Sequence, residues 1–307
     1  MNLIEQLQSK IEQARTLYKE FRLYDLGSFA LNRFTPKDGF EQVANVRYGL
    51  KPRHRLDVYR SVKKLVHQPL IVFVHGGAWQ HGNKRDYLFI GETFAKEGYD
   101  VAVINYQLAP KNIFPSFVDD LTQALNYLHQ NQEKLEISTE NIVLMGHSAG
   151  AFNVMSAVYH PKPNPIQCLG NIKAIFGLAG PYHFDYKGDP LAEDAFDQSV
   201  SYQEVMPYYF VNQNSIKHYL LMAENDQLVG KENTLDLDRA LRQSGNHSHI
   251  AVIPKTGHIK FWPVFLALLA TISERKERSY IFLKKCFKRY SRLKHGRLPS
   301  LGNLHNH

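Results

Sequence analysis

Cysteine is nearly absent: the chain of 307 residues has two, Cys168 and Cys286. They could close one bridge at most, so no disulfide framework holds the fold, and a reducing, cytoplasmic setting is the expectation. Long apolar runs are missing too. None reaches the roughly 18 residues that a membrane span requires. Residues 1–10 are polar and amphipathic, without the apolar centre and small-residue cleavage site of a secretory signal. Neither an H-E-x-x-H run nor a Cys/His cluster occurs, so no metal is expected. The G-x-G-x-x-G spacing is also absent, which removes the dinucleotide reading, and no cofactor is expected. Internal repeats and low-complexity segments are lacking.

Positive charge is abundant but confined. The net charge is +8, yet residues 274–297 alone carry ten Lys and Arg against two Glu, and the remainder is balanced at 27 of each sign. A neutral body excludes a nucleic-acid-binding surface there, and the basic balance speaks only of the tail. Within it Tyr280, Leu283, Phe287 and Tyr290 recur at helical spacing among Lys284, Lys285, Lys288, Arg289 and Arg292. This reads as an extra helix packed through its aromatics, or as a solvated tail. Weak contact with an anionic membrane surface is the alternative.

What is present is 44% apolar residues, enough for one large α/β domain. Residues 1–40 read as one or two amphipathic helices, with Leu3, Leu7, Ile11 and Ala14 on one face, packed beside the sheet or acting as a lid. The domain proper spans 41–273 and the tail 274–307. Residues 43–48 and 55–59 alternate moderately and suggest an antiparallel entry pair. Continuous apolar runs at 70–74, 100–104 and 141–145 have the form of strands buried on both faces. Further strands are expected at 172–178, 219–222 and 250–253. Helices are expected at 87–97, 117–128, 149–159, 235–243 and from 261 to about 275. Strands alternating with helices of crossover length predict a mostly parallel central sheet of about eight strands, covered on both faces. Residues 181–214 break this rhythm; they follow a strand end, where ligands of such sheets bind, and read as a cap over a pocket.

The chain is organised around residues 143–150, an apolar run that ends in Gly146-His147-Ser148-Ala149-Gly150. This G-x-S-x-G pattern describes a strand turning sharply into a helix with a serine at the apex. A serine hydroxyl needs a base to take its proton, and the base needs an acid to orient it. Both should follow later strands, acid first. Asp226 follows the strand at 219–222 and is assigned as the acid, with Glu224 as its rival. His258 follows the strand at 250–253 and is assigned as the base. The developing oxyanion needs fixed N–H donors. Gly76 and Gly77, in His75-Gly76-Gly77-Ala78-Trp79, are assigned to that role together with Ala149. Trp79 and His147 flank the site and are the candidate substrate contacts. His75 and His147 are read as packing or hydrogen-bonding residues.

Taken together, His-Gly-Gly-Ala-Trp at 75–79, Asn-Tyr-Gln-Leu-Ala-Pro at 105–110, Phe114-Pro115, Gly-His-Ser-Ala-Gly at 146–150, Asp226 before Leu228-Val229, and Gly257-His258 resemble the α/β-hydrolase superfamily. The resemblance covers roughly residues 45–272. It lies in the esterase branch that includes hormone-sensitive-lipase-like and feruloyl-esterase-like carboxylesterases, prenylcysteine methylesterases and kynurenine formamidases. Two departures stand out: Ala78 replaces the third glycine of the His-Gly-Gly-Gly form, and the usual Tyr-Arg-Leu-Ala-Pro-Glu ends here in Lys111 with Gln107 in place of arginine. The resemblance implies a serine hydrolase acting on small-molecule carboxylic esters through an acyl-enzyme. A formamidase using the same residues, or a non-catalytic membrane-associated relative, are the alternatives.

Overall fold

The computed structural model describes Asn32, residues 38–64 and residues 67–258. The expected N-terminal helical segment, the helix expected from Phe261 and the basic tail lie outside the described residues. Eight strands form one sheet: β1 Phe40–Arg47, β2 Arg55–Ser61, β3 Leu70–Val74, β4 Val101–Ile104, β5 Ile142–His147, β6 Ile172–Leu178, β7 Lys217–Ala223 and β8 His247–Ile253. Their order in space is β1-β2-β4-β3-β5-β6-β7-β8. β2 runs antiparallel to both β1 and β4, and every other pairing is parallel.

The period of two along each strand sorts the side chains between the faces. Leu70, Val72 and Val74 of β3 join a core that includes Phe117, Leu121, Leu125 and Phe152. Ile71 and Phe73 point the other way, into a core with Val101, Val103, Val143 and Met145. Helix α1, Leu88–Lys96, covers the second face through Phe89, Ile90 and Phe94. Helices α2 (Ser116–Gln130), α3 (Ala149–Tyr159) and α4 (Lys231–Gln243) bury apolar residues in the first. The apolar positions of α2 fall at 117, 121, 124, 125 and 128, one helical stripe. Each such leucine or phenylalanine contributes about 1.5–3 kcal/mol on burial. Parallel pairing brings the C-terminal ends of β3, β5, β6, β7 and β8 to one edge of the sheet, where the loops that follow them meet.

Several boundaries shift by a few residues from the sequence expectation, and two helix starts do so for identifiable reasons. The helix expected from Tyr87 begins at Leu88, preceded by a separate 3-10 turn, Lys84–Tyr87. Asn83 caps that turn, with its side chain on the Arg85 N–H and Asp86 returning to the Asn83 N–H. The Lys84 ammonium is buried against Asp57 at 2.7 Å and also meets Asn45. Helix α4 starts at Lys231, before its apolar periodicity becomes visible, because the buried residues of its first turn are the polar Asn233 and Thr234.

Residues 181–214 contain three short 3-10 turns, at Glu193–Ala195, Tyr202–Glu204 and Pro207–Phe210. Aromatic packing holds the stretch down. Tyr186 stacks on Phe196 at 4.7 Å, and Phe196 packs edge-on against Trp79 at 4.8 Å. Among the described residues no helix is long and apolar enough to cross a membrane.

Candidate active site

Strand β5 ends at His147, and Ser148 turns the chain directly into α3 with φ 53° and ψ −123°. A left-handed φ is unfavourable for any residue with a Cβ, so the surroundings must enforce it. The Ser148 N–H is held by the Leu178 carbonyl at 2.8 Å. Glycine is required on both sides: a Cβ at Gly146 would strike the Gly150 backbone, and one at Gly150 would strike the Val74 carbonyl. The elbow is thus wedged between β3, β6 and its own helix, and the serine hydroxyl is pushed outward.

Two other strand ends reach that hydroxyl. Ser148 Oγ donates to His258 Nε2 at 2.9 Å. His258 Nδ1–H donates to Asp226 Oδ2 at 2.8 Å. The other carboxylate oxygen, Oδ1, accepts the N–H groups of Leu228 and Val229 at 3.0 and 2.9 Å. Burial works against ionising Asp226, but the His258 hydrogen bond and charge and the two backbone donors outweigh it, so the carboxyl titrates below its ordinary range. Glu224 is exposed and turns elsewhere, accepting the Lys255 N–H at 2.7 Å. Ser148, His258 and Asp226 therefore form one hydrogen-bonded line, and Glu224 has no place in it.

The glycine pair after β3 divides between two tasks, which corrects the expectation for Gly76. Its N–H donates to the Tyr87 hydroxyl at 3.1 Å and so faces away from the serine. Gly76 is small for another reason: a Cβ there would lie 3.0 Å from His147 and Ser148 atoms, so the loop packs flush against the elbow. The backbone then bends through left-handed φ at Gly77 (120°), Ala78 (47°) and Trp79 (59°). Gly77, Ala78 and Ala149 all line the cavity beside Ser148. Their N–H groups have no acceptor among the described residues. Gly77, Ala78 and Ala149 are thus the backbone donors left open along that wall.

The bent loop is braced from three sides. Trp79 Nε1–H donates to Asn153 Oδ1 at 3.0 Å, tying the loop to α3. Arg53 Nη2 donates to the Gly82 carbonyl at 2.8 Å, and its Nε to the Tyr106 carbonyl at 2.7 Å. His75 is fully buried, stacks on Tyr106 at 4.4 Å, and donates from Nδ1 to the Gly76 carbonyl at 2.7 Å. Burial pushes its pKa down to about 3, so it is a neutral brace.

Tyr87 was not legible as a site residue, because the sequence reads it as the first residue of a helix. Its hydroxyl accepts from Gly76 N–H and therefore offers its proton to His147 Nδ1, 3.0 Å away. The His147 ring in turn lies 5.3 Å, centroid to centroid, from the His258 ring. Burial first, then the neighbouring His258, push the His147 pKa down to about 3. Hydrogen bonds thus join the loop after β3 through Tyr87 to the end of β5, beside the His258 ring.

The cavity measures about 210 Å³. Trp79 and His147, the expected substrate contacts, both line it, and residues 181–214 contribute Pro181, Phe184, Asp189, Leu191 and Ala192.

A strained serine at a strand-to-helix turn, a histidine and an aspartate from later strands, and free N–H donors on one sheet edge define the α/β-hydrolase class. The family model described as the prolyl oligopeptidase family matches residues 116–289, more than half of the chain, and the chain belongs to that family. A second model, BD-FAE, matches residues 56–168. A probable isoprenylcysteine alpha-carbonyl methylesterase of Oryza sativa subsp. japonica is 31% identical over 45% of this chain and 34% of its own length. The chain thus spans about a third of that relative. Kynurenine formamidase of Drosophila melanogaster is 28% identical over 69% of this chain and 72% of its own. In structure, esterase B from Lactobacillus rhamnosis superposes with a TM-score of 0.69 over 96% of this chain and 100% of its own at 14% identity, a likeness of fold.

Proposed function

We propose that the protein is a serine hydrolase that cleaves carboxylic esters of small acyl groups through an acyl-enzyme. The observation that carries this reading is the unbroken line from Ser148 Oγ through the His258 ring to Asp226. In the proposed reaction Ser148 Oγ attacks the acyl carbon while His258 Nε2 takes its proton. Asp226 holds the imidazole in the required tautomer and stabilises its cation. The oxyanion forms against the N–H groups of Gly77, Ala78 and Ala149. Collapse of the tetrahedral species transfers the proton from Nε2 to the leaving group, and a water activated by the same nitrogen then releases the acid. A cavity of about 210 Å³ lies below the roughly 300–1,000 Å³ of drug-sized sites, which favours a small acyl group.

The stretch 181–214 acts in this reading as the cap of the pocket. A cytoplasmic setting is in keeping with the low cysteine content. Weak membrane contact through residues 274–297 would tether the enzyme and not alter its chemistry.

Labelling by a fluorophosphonate probe tests the reading: Ser148 should be modified, and Ser148→Ala should abolish both labelling and hydrolysis of p-nitrophenyl acetate. Absence of labelling in folded protein would sink it. The amide variant of the reaction is favoured by one observation, the formamidase relative matched over 72% of its length. Rates on p-nitrophenyl acetate and N-formylkynurenine, measured side by side, separate ester from formamide preference.

A further inference from the structure

The cavity beside Ser148 contains a carboxylate that the Ser148, His258 and Asp226 line does not use. Asp189 lines it from the stretch 181–214. Its backbone is pinned: the N–H donates to the Tyr186 carbonyl at 3.1 Å, and its own carbonyl accepts from Ala192 and Glu193 at 3.0 and 2.8 Å. Oδ1 accepts the Leu191 N–H at 2.8 Å, which orients the side chain. No hydrogen bond or ion pair engages Oδ2 among the described residues.

The surroundings are unusual for an anion. Trp79, Phe184, Leu191 and Ala192 share the cavity wall, and no lysine or arginine lines it among the described residues. Burial, opposed by the Leu191 N–H and aided by nearby Glu193, raises the carboxyl above its ordinary range, which marks an anion without a counter-charge. A carboxylate without a counter-charge in a mostly apolar cavity attracts a quaternary alkylammonium: the anion supplies the opposite charge, and the weakly hydrated N-methyl groups suit the apolar wall of Phe184, Leu191 and Ala192. The same arrangement repels a substrate carboxylate, which would meet a like charge with no basic partner.

We infer that Asp189 is a specificity determinant, and that the pocket takes substrates bearing a cationic amine on the acyl group or the leaving group. This inference rests on the serine-hydrolase reading.

Two pairs of esters, each differing in one atom, test it. Acetylcholine against 3,3-dimethylbutyl acetate puts the cation on the alcohol. The p-nitrophenyl ester of 4-(trimethylammonio)butyrate against that of 5,5-dimethylhexanoate puts it on the acyl group. At least one pair should show a preference of about tenfold in kcat/KM for the cation, and Asp189→Asn should bring that ratio to within about twofold of one. Asparagine keeps an oxygen for the Leu191 N–H, and a second measurement needs no variant at all. In the native protein an alkyltrimethylammonium salt should slow fluorophosphonate labelling of Ser148, and its neutral carbon isostere should not. Hydrolysis of the neutral esters without any cation preference overturns the inference and leaves the hydrolase reading intact. So does a preference that survives Asp189→Asn, or equal protection by salt and isostere. Failure to label Ser148 or to hydrolyse any of the four esters overturns both.

Discussion

Among the described residues, two of the histidine–aspartate pairs share an Nδ1–carboxylate geometry and differ in their surroundings. His258 and Asp226 meet at 2.8 Å, and so do His183 and Asp236. Each imidazole also holds a hydroxyl at 2.9 Å on its other nitrogen, Ser148 in the first case and Tyr209 in the second. Judged by hydroxyl–imidazole–carboxylate distances alone, the two are nearly alike. The differences lie in what surrounds them. The first pair is 7% and 5% exposed, opens on a cavity and faces unpaired N–H donors. The second is about a quarter exposed, lies stacked on Tyr208 at 4.0 Å, and joins the stretch 181–214 to α4. Its phenol is pushed up to about 12, burial first and the neighbouring Tyr202 next. A hydrogen-bonded dyad becomes chemistry only where a strained nucleophile, donors and a cavity converge on it; elsewhere it is a fastening.

The sharpest way to break this comparison is to make the same change in both pairs. Asp226→Asn should lower kcat by about 10³–10⁴-fold by removing the acceptor that fixes the imidazole tautomer, whereas Asp236→Asn should leave steady-state ester hydrolysis within about twofold. A comparable loss from both would erase the distinction.

Acid should act next. The folded-state pKa values of His75 and His147 lie at about 3 and that of His218 at about 4, burial being the main cause in each. The unfolded chain therefore binds more protons below the ordinary histidine value of 6.5, and stability falls as pH falls from there. The expected loss by pH 5 is about 2 kcal/mol for each such histidine, read from urea midpoints. A flat profile from pH 7 to 5 would contradict the neutral, buried assignment.

Tyr87→Phe should lower kcat by about tenfold, since it strands the Gly76 N–H and takes the donor from His147 Nδ1; Tyr209→Phe, the parallel change at the other pair, should not. Smallest of all, His183→Ala should lower the unfolding free energy by about 1 kcal/mol, with the melting temperature as its measure.

Much of this architecture is legible in the sequence, for identifiable reasons. Strands such as Leu70–Val74 and Val101–Ile104 are buried along their whole length, so they read as continuous apolar runs. The elbow is legible because its glycines are demanded by backbone contacts that no other residue allows. Strand order points to His258 and to the loop after the strand at 219–222, but within that loop it leaves Glu224 beside Asp226. What stayed hidden depends on side-chain direction in loops. Gly76 and Gly77 look equivalent in sequence, yet the Gly76 N–H is spent on Tyr87 while Gly77 lines the cavity with its N–H on no acceptor among the described residues. The bend that turns Ala78 into a donor is set by three successive left-handed residues, two of them not glycine, which no local propensity announces. Asp189 belongs to a stretch of 3-10 turns held by aromatic packing, with no periodicity to place it.

Ser148 sits at φ 53°, a conformation that a serine tolerates poorly and a glycine adopts freely. The apex is consequently a strained point of the fold and, in the proposed function, the seat of its nucleophile. Ser148→Gly should give a dead protein that melts higher than the living one, by a margin on the order of 1 kcal/mol. Relaxed selection on the chemistry would let such a lineage drift toward inert, sturdier descendants. A serine at this apex thus carries a standing cost in stability that a glycine would not.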